Sequence, residues 1–395
     1  MATAVAATPT AEKPEENPSD GSKLKTFITI LKKFIGVADL ANVRFSLPSQ
    51  LLEPTPNLEY WNYLDAPNAF VGIGTSDEPL DRMLEVLRFW FTKDLKYAKG
   101  RPCKPYNSCL GEFFRCNWET ENNAPRICTN TLKGNASGAS SVKSAKSSSG
   151  SDKNASTISL SISAKFTGTT IKVSPGEHNM GIFISLDKRG GETYQLTHPA
   201  AHLGGFLGAT KLKAILSYAE EGWLGRTTNK VQGIIFTYDP ENDDKTRIQD
   251  VPEQDILARL GGPWKEKIVL TLGSKPLASH PVEDQYTIID IAPLSVAPKV
   301  VPPREKQLPH ESLTMWAGVT DAIMEKQYSK ATTVKMELEE SQREKARQRE
   351  RDNVVWKPVF FTHVTGNGGR PDLTPEGQEV LKRAQEGNWD MEGIL

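Results

Sequence analysis

The stretch that decides the fold runs from Arg101 to Glu119 and has the sequence RPCKPYNSCLGEFFRCNWE. Pro102 and Pro105 each remove a backbone donor and restrict the residue before them, so the first half predicts a rigid turn. Aromatic residues among polar ones in the second half predict a strand. Lys104 is therefore expected at a fixed corner beside an apolar wall. It is either an ordinary surface lysine or a contact for a ligand with an anionic head and an apolar body.

The composition excludes several classes of protein. With 48 basic and 49 acidic residues among 395, the net charge of −1 provides no overall field that favours nucleic acid or a strongly anionic membrane. No run of about 18 apolar residues predicts a membrane span, and the first residues lack the charged and apolar parts of a secretory signal. The 4 cysteines lack the paired spacing of a zinc site, which predicts reduced thiols in a cytosolic protein. Nothing in the sequence calls for a metal, a cofactor or a catalytic site.

The N-terminal region predicts a disordered leader followed by an amphipathic helix. Residues 1–22 are rich in Ala, Pro, Glu and Ser and are too polar to bury a core. Apolar residues then recur on one face of a helix that ends near Gly36. They are Leu24, Phe27, Ile28, Leu31 and Ile35. This helix either docks on the core of the protein or forms a mobile lid or membrane-touching element.

The middle of the chain predicts a mainly β protein with helices. Residues 132–157 are almost wholly Ser, Gly, Ala, Lys and Asn, which predicts a flexible loop. Strand-like runs follow, and turn-forming residues separate most of them. This pattern favours a largely antiparallel sheet that curls on itself into an incomplete barrel, large enough to enclose a ligand. The runs are 158–162, 170–173, 181–186, 212–216, 233–238, 267–272 and 286–291.

Helices are predicted on both sides of this β region. A cap at Ser76 followed by a proline predicts a helix whose buried stripe reaches Phe91. Towards the C-terminus, apolar residues at helical spacing follow Glu311. A charge-dense helix follows between Thr333 and Arg351, and these two form a C-terminal helical segment.

Three charged residues of the last helix, Lys335, Glu339 and Arg343, are spaced four apart and project from one face. Two interpretations remain open: an ordinary solvated helix with surface ion pairs, or a charged binding face. Lys335 and Arg343 are expected to be exposed, so that alanine at either position leaves the fold intact. Residues 367–395 are predicted to form a loosely ordered tail.

Two charged motifs resemble those of a known family. The sequence KPYNSCLGE that begins at Lys104 resembles the lysine-proline signature of the oxysterol-binding-protein-related lipid-transfer family, with Ser108 in place of its second proline. The sequence KMELEESQR that begins at Lys335 resembles the second signature, and the segment from Trp356 to Phe361 resembles the aromatic stretch that follows it. The resemblance covers residues 24–366. No other domain precedes these motifs, so a short member that consists of the ligand domain alone is expected.

The resemblance implies a fold and a binding site. The fold would be an incomplete antiparallel barrel around a lipid tunnel, formed by residues 46–366 and covered by a lid at 23–45. Its cargo would be a sterol or phosphatidylserine, exchanged for phosphatidylinositol 4-phosphate. The residues that match the family's head-group site are Lys104, Asn107, Lys335, Glu339 and Arg343.

The resemblance also implies partners and location. The partners would be membrane lipids rather than nucleic acid, met by a monomer. The protein would be cytoplasmic, peripheral on the endoplasmic reticulum and other membranes, and not an enzyme. An alternative stays open, in which the chain keeps the fold as a lipid-responsive regulatory or interaction protein and no longer exchanges phosphoinositide.

One departure from the family pattern stands out. The double-histidine strand of the family is absent, and the region between Trp118 and Lys165 where it belongs holds the Ser/Gly/Lys loop instead. A second hairpin is missing between Gly208 and Ala209. A barrel short of strands exposes unpaired edges. Either segments have been lost, or the loop covers the gap.

Overall fold

The structure, a computed structural model, describes most of the chain from residue 47 onward. The described residues are 47–60, 62–93, 95–100, 103–119, 127–129, 160–164, 169–174, 181–186, 189–196, 203–208, 210–219, 229–362 and 372–394. The leader at 1–22, the lid at 23–45 and the loop at 132–157 lie outside them, so those predictions stay predictions.

Two antiparallel sheets account for the strands of this part of the chain. The smaller sheet pairs β1 (Cys116–Trp118) with β2 (Ile127–Thr129). The larger one has ten strands, and each strand is hydrogen-bonded to the next one along the chain. These strands are β3 (Leu160–Ala164), β4 (Thr169–Ser174), β5 (Gly181–Leu186), β6 (Glu192–Leu196), β7 (Leu203–Gly208), β8 (Leu212–Tyr218), β9 (Lys230–Thr237), β10 (Ile256–Pro263), β11 (Lys267–Leu272) and β12 (Tyr286–Asp290).

The mainly β, antiparallel architecture is confirmed, but the large sheet is open. Within the described residues its first strand, β3, does not pair with its last, β12, so no barrel is closed. At the β12 edge the register shifts and Ile288 bulges. The guanidinium Nε of Arg88 donates to the Ile288 carbonyl at 2.8 Å. The side chain therefore occupies a backbone acceptor that an edge strand would otherwise leave exposed.

Seven helices flank the sheets in the described residues. They are α1 (Asn57–Tyr60), α2 (Pro67–Gly72), α3 (Pro79–Thr92), α4 (Leu95–Lys99), α5 (Ser312–Met324), α6 (Tyr328–Arg351) and α7 (Pro375–Gln385). Helix α3 begins at the predicted proline, and its buried side chains, such as Met83 and Leu87, belong to the main core together with the strands from β5 onward. No helix in the described ranges combines the length and the hydropathy needed to cross a bilayer.

A second, smaller core positions the C-terminal helices. It joins Leu52 and Tyr106 to Trp316 on α5 and Ala331 on α6, all of them buried. The rings of Tyr106 and Trp316 lie 4.9 Å apart. The α5–α6 hairpin is thereby held against the loop that contains Lys104.

The prediction of a loosely ordered C-terminal tail is wrong for residues 372–394. Thr374 caps α7 by accepting a hydrogen bond from the Gly377 amide at 3.1 Å, and Val380 and Ala384 are buried. The Asn117 side chain donates to the Ala384 carbonyl at 3.1 Å. The apolar residues of α7 are few and stand among charged ones, so the segment is polar in composition although one face of the helix is buried.

Candidate functional site

Lys104 lies in a short segment that is tied to the chain before α1. The segment is held by a parallel β-bridge between Leu52 and Lys104 and by a 2.9 Å hydrogen bond from the Glu53 amide to the Lys104 carbonyl. The Glu53 carboxylate accepts from the Cys103 amide at 3.0 Å. The ammonium of Lys104 donates to Asn107 Oδ1 at 2.6 Å. We call residues 103–112 the lysine corner. The prediction of a turn is wrong at Lys104, because its backbone pairs with Leu52 and the chain turns only at Leu110 and Gly111.

The other signature residues of the lysine corner hold it in place. Glu112 is fully buried, and its carboxylate accepts from the Cys109 amide at 2.8 Å and from the Ser312 hydroxyl of α5 at 2.7 Å. Gly111 has φ of 82°, a left-handed conformation that favours glycine. Ser108 accepts from the Asn57 side chain at 2.9 Å. These roles are structural, and no local sequence signal distinguishes them from binding roles.

Helix α6 brings a row of alternating charges to the corner. The Lys335 ammonium and Glu339 Oε1 form an ion pair of 2.8 Å. The second oxygen of Glu339 lies 3.4 Å from Nη2 of Arg343, whose Nη1 also contacts Glu340 at 2.8 Å. The three predicted residues therefore share one face, as their spacing indicated.

Burial along this face is uneven, and this corrects one expectation. Lys335 is only 3% exposed, whereas the Arg343 side chain is half exposed. The prediction that both residues are exposed is wrong for Lys335. It is buried because α6 packs against α5 and the lysine corner at this level, through residues such as Ala331 one turn earlier. An ordinary solvated helix describes α6 only beyond this point.

Lys104 of the lysine corner interacts electrostatically with charged groups of α6. Burial lowers the pKa of Lys104, repulsion by the Lys335 ammonium lowers it further, and the Glu339 carboxylate opposes both. Nearby Cys109 is a buried thiol whose pKa is raised first by burial and then by the Glu112 carboxylate. The thiol is therefore neutral and contributes no charge to the site.

We call the set Lys104, Asn107, Lys335, Glu339 and Arg343 the head-group site. It holds three cations that Glu339, and Glu340 beside the set, partly neutralise, so a net positive charge remains in a partly water-excluded corner. Such a set favours an anionic group with several acceptor oxygens, such as a phosphate, because charge-assisted hydrogen bonds are stronger there than in bulk water. No group of three or more potential ligand residues in the described ranges could hold a metal ion.

Two cavities adjoin this part of the fold. One of about 390 Å³ lies between the chain near Leu308 and the segment after α7, lined by Trp389 and Met391 among others. The other, of about 270 Å³, is lined by Glu53 and Lys96 among others, and none of the residues of the head-group site lines it. Neither has the apolar lining of a lipid tunnel, and the predicted tunnel and the five lid residues stay predictions.

The fold agrees with the outcome of comparison with known proteins. The family model for oxysterol-binding proteins matches residues 26–392, so this chain belongs to the oxysterol-binding protein family. It is 33% identical to oxysterol-binding protein-like protein 1 of Schizosaccharomyces pombe, over 92% of this chain and 91% of the relative. That alignment extends over 478 positions, more than the 395 residues of this chain, so the relative has segments without a counterpart here.

Solved structures support the fold. The Osh1 ORD domain in complex with cholesterol aligns with a TM-score of 0.59 at 14% identity, over 95% of this chain and 92% of that one. The Osh3 ORD of Saccharomyces cerevisiae in complex with PI(4)P aligns with a TM-score of 0.56 at 15% identity, over 98% of both chains. At this level of identity the likeness concerns the fold alone.

Proposed function

We propose that this protein binds membrane lipids and carries them between membranes, a sterol or phosphatidylserine in one direction and phosphatidylinositol 4-phosphate in the other. The observation that carries the proposal is the match of residues 26–392 to the family model, together with the row Lys335, Glu339 and Arg343 on one face of α6. Buried Lys335 and half-buried Lys104 are cations that a bound anion would stabilise. Ligands of both kinds occupy the related ORD structures, which were solved with cholesterol, ergosterol and PI(4)P.

Each residue of the head-group site has a separate role in this proposal. Lys104, Lys335 and Arg343 donate to the phosphate oxygens, and Asn107 orients Lys104 through their 2.6 Å contact. Glu339 holds the two α6 cations in place and accepts from a head-group hydroxyl. The apolar body of the lipid needs an enclosed path, because at about 0.8 kcal/mol per CH₂ its exposure to water costs on the order of 10–20 kcal/mol. No catalytic step is required, and we propose a peripheral membrane protein of the cytoplasm that acts as a monomer.

A second candidate is a lipid-responsive regulatory protein that no longer exchanges phosphoinositide. Two observations favour it. The double-histidine strand is absent from the sequence, and Glu339 already neutralises part of the charge of Lys335 and Arg343. Such a protein would bind one lipid and change a partner contact without transfer.

Extraction of lipids from liposomes distinguishes the two candidates. A carrier removes sterol or phosphatidylserine from donor vesicles, delivers it to acceptors, and does so faster when the acceptors contain phosphatidylinositol 4-phosphate. A regulator binds without delivery. Native mass spectrometry of the purified protein identifies the lipid it retains. If neither assay detects any lipid, the proposed function is wrong.

A further inference from the structure

The end of α6 directs apolar side chains into water. Asn353 has φ of 52°, and its amide donates to the Glu350 carbonyl while the Val354 amide donates to the Arg349 carbonyl at 2.9 Å. This is a Schellman motif, in which the residue at the position of Val354 usually packs back on the helix. Here Val354 is 54% exposed and Val355 is 67% exposed.

The same segment is basic. Residues 345–359 include five basic and two acidic side chains, a charge of +3 in a chain whose net charge is −1. Arg347 and Arg351 are paired with acidic neighbours on α6. Arg349 and Lys357 form no ion pair with any residue that the structure describes. Two cations beside the valines are thus available for an anionic partner.

We propose that this surface docks on an anionic lipid bilayer. We define the valine surface as Val354, Val355 and Val359, all exposed, together with Arg349 and Lys357. Exposed apolar side chains beside unpaired basic ones suit the bilayer interface, where the former enter the acyl boundary and the latter contact lipid phosphates. Three valines are too few for a stable protein interface, which buries about 1,200–2,000 Å².

The valine surface is connected to the head-group site through the lysine corner. The Trp356 indole nitrogen lies 4.0 Å from where a Cβ on Gly111 would stand. The segment that carries the valines therefore lies against the lysine corner. This inference deepens the proposed function and rests on it for its purpose, but docking can be measured without any transfer.

A second exposed apolar group supplies the matched control. Val282 is 80% exposed and is followed directly by Glu283 and Asp284. Those carboxylates repel an anionic bilayer, so this valine is expected to take no part in docking. Val282→Asp thus makes the same chemical change as Val355→Asp, but it is expected to leave vesicle binding unchanged.

Co-sedimentation with phosphatidylcholine vesicles, with and without phosphatidylserine, tests the proposal. The double variant Val354→Asp/Val355→Asp should bind the phosphatidylserine vesicles at least about tenfold more weakly, and Lys357→Glu about fivefold or more. Val282→Asp should bind as the original does. All of these side chains are exposed, so the melting temperature should not change. Calorimetric binding of a soluble inositol phosphate should stay the same, because the head-group site is intact.

Several results would overturn the proposal. They are unchanged vesicle binding by the double variant, an equal loss in Val282→Asp, or a dimer of the original protein in sedimentation that the double variant abolishes. The last result would assign the valine surface to a second copy of the chain. If the soluble inositol phosphate binds none of the proteins while vesicle binding behaves as expected, the docking stands and the proposed function fails.

Discussion

Lys104 and Lys335 repel each other across the head-group site. Burial first, and this repulsion second, lower the pKa of Lys104 from its ordinary value of 10.5. A third group, the Glu339 carboxylate, opposes the shift without cancelling it. The site therefore has the electrostatic character of an anion receptor, and this character is measurable.

The first prediction concerns pH. Binding of a soluble inositol phosphate should weaken as pH rises, and the weakening should begin below pH 10.5. The reason is that Lys104, whose pKa is lowered, loses its proton there and no longer attracts the anion. Lys104→Arg should give a flatter profile, since arginine keeps its charge throughout. Calorimetric titrations from neutral pH upward measure both. Identical profiles for the two proteins would remove Lys104 from the site.

Without ligand, the same shift acts on stability in the opposite direction. The folded-state pKa lies below the unfolded value of 10.5, so between the two the unfolded chain holds more protons. The free energy of unfolding should therefore rise with pH in that window. Lys104→Met should abolish this rise, and a rise that persists in the variant belongs to another group.

The second prediction separates Arg343 from Lys335. Arg343→Ala should weaken anion binding by about 1.5–3 kcal/mol, or roughly ten- to a hundredfold, with less than about 0.5 kcal/mol lost in stability. Lys335→Ala should in addition lower the free energy of unfolding by about 1–3 kcal/mol, because it leaves the buried Glu339 carboxylate without its 2.8 Å partner.

The double variant Lys335→Ala/Glu339→Ala provides the control. It removes both charges, so it should be more stable than Lys335→Ala alone. Chemical denaturation compares the four proteins. If Lys335→Ala has the same free energy of unfolding as Arg343→Ala, the buried ion pair of Lys335 does not contribute to stability and the site is misplaced.

The third prediction concerns Glu112, which holds the lysine corner to α5. Glu112→Ala should lower the free energy of unfolding by about 1–3 kcal/mol and weaken anion binding as well, because Lys104 loses its fixed position. Glu112→Gln should retain part of both, since its amide oxygen still accepts. Glu325→Ala, an exposed change on the same side of the fold, should alter neither. Full stability in Glu112→Ala would contradict the role assigned to this carboxylate.

The fourth prediction follows from the absent histidine pair. Two fewer hydrogen bonds to a phosphate, at about 1.5–3 kcal/mol each, should weaken phosphoinositide binding by roughly a hundredfold to ten-thousandfold. What remains should depend strongly on salt. The comparison protein carries the family's double-histidine strand in place of residues 132–157. Equal affinity of the two proteins at physiological salt would mean that other donors replace the histidines.

Local signals predicted most of the regular structure. The proline at the start of α3 and the apolar spacing of α5 predicted these two helices. Strands β5 and β11 have the predicted bounds. Strand β10 was missed as a strand because Gly261, Gly262 and Pro263 interrupt its pattern. Glycine is required at position 262, because its φ is 143° and it lies so close to the β11 backbone that no side chain fits.

The site was only partly predictable. The four-residue spacing in α6 placed Lys335, Glu339 and Arg343 on one face, and the motif indicated Lys104. Their burial could not be predicted, because it depends on how α6 packs on a loop more than 200 residues earlier in the sequence. The structural role of Glu112 could not be predicted for the same reason, because its partner Ser312 lies 200 residues later in the sequence.

The strand order of the large sheet bears on how such a chain changes length. Every strand from β3 to β12 pairs with its neighbour in the sequence, so a hairpin can be removed or inserted as a unit while all other pairings keep their register. β7 and β8 are adjacent at the point where a hairpin was expected to be missing. Loss or gain of a hairpin at that junction would shorten or lengthen the meander without changing the other pairings, because only residues 209–211 connect β7 to β8. The topology is modular, and relatives of different length can therefore share one architecture.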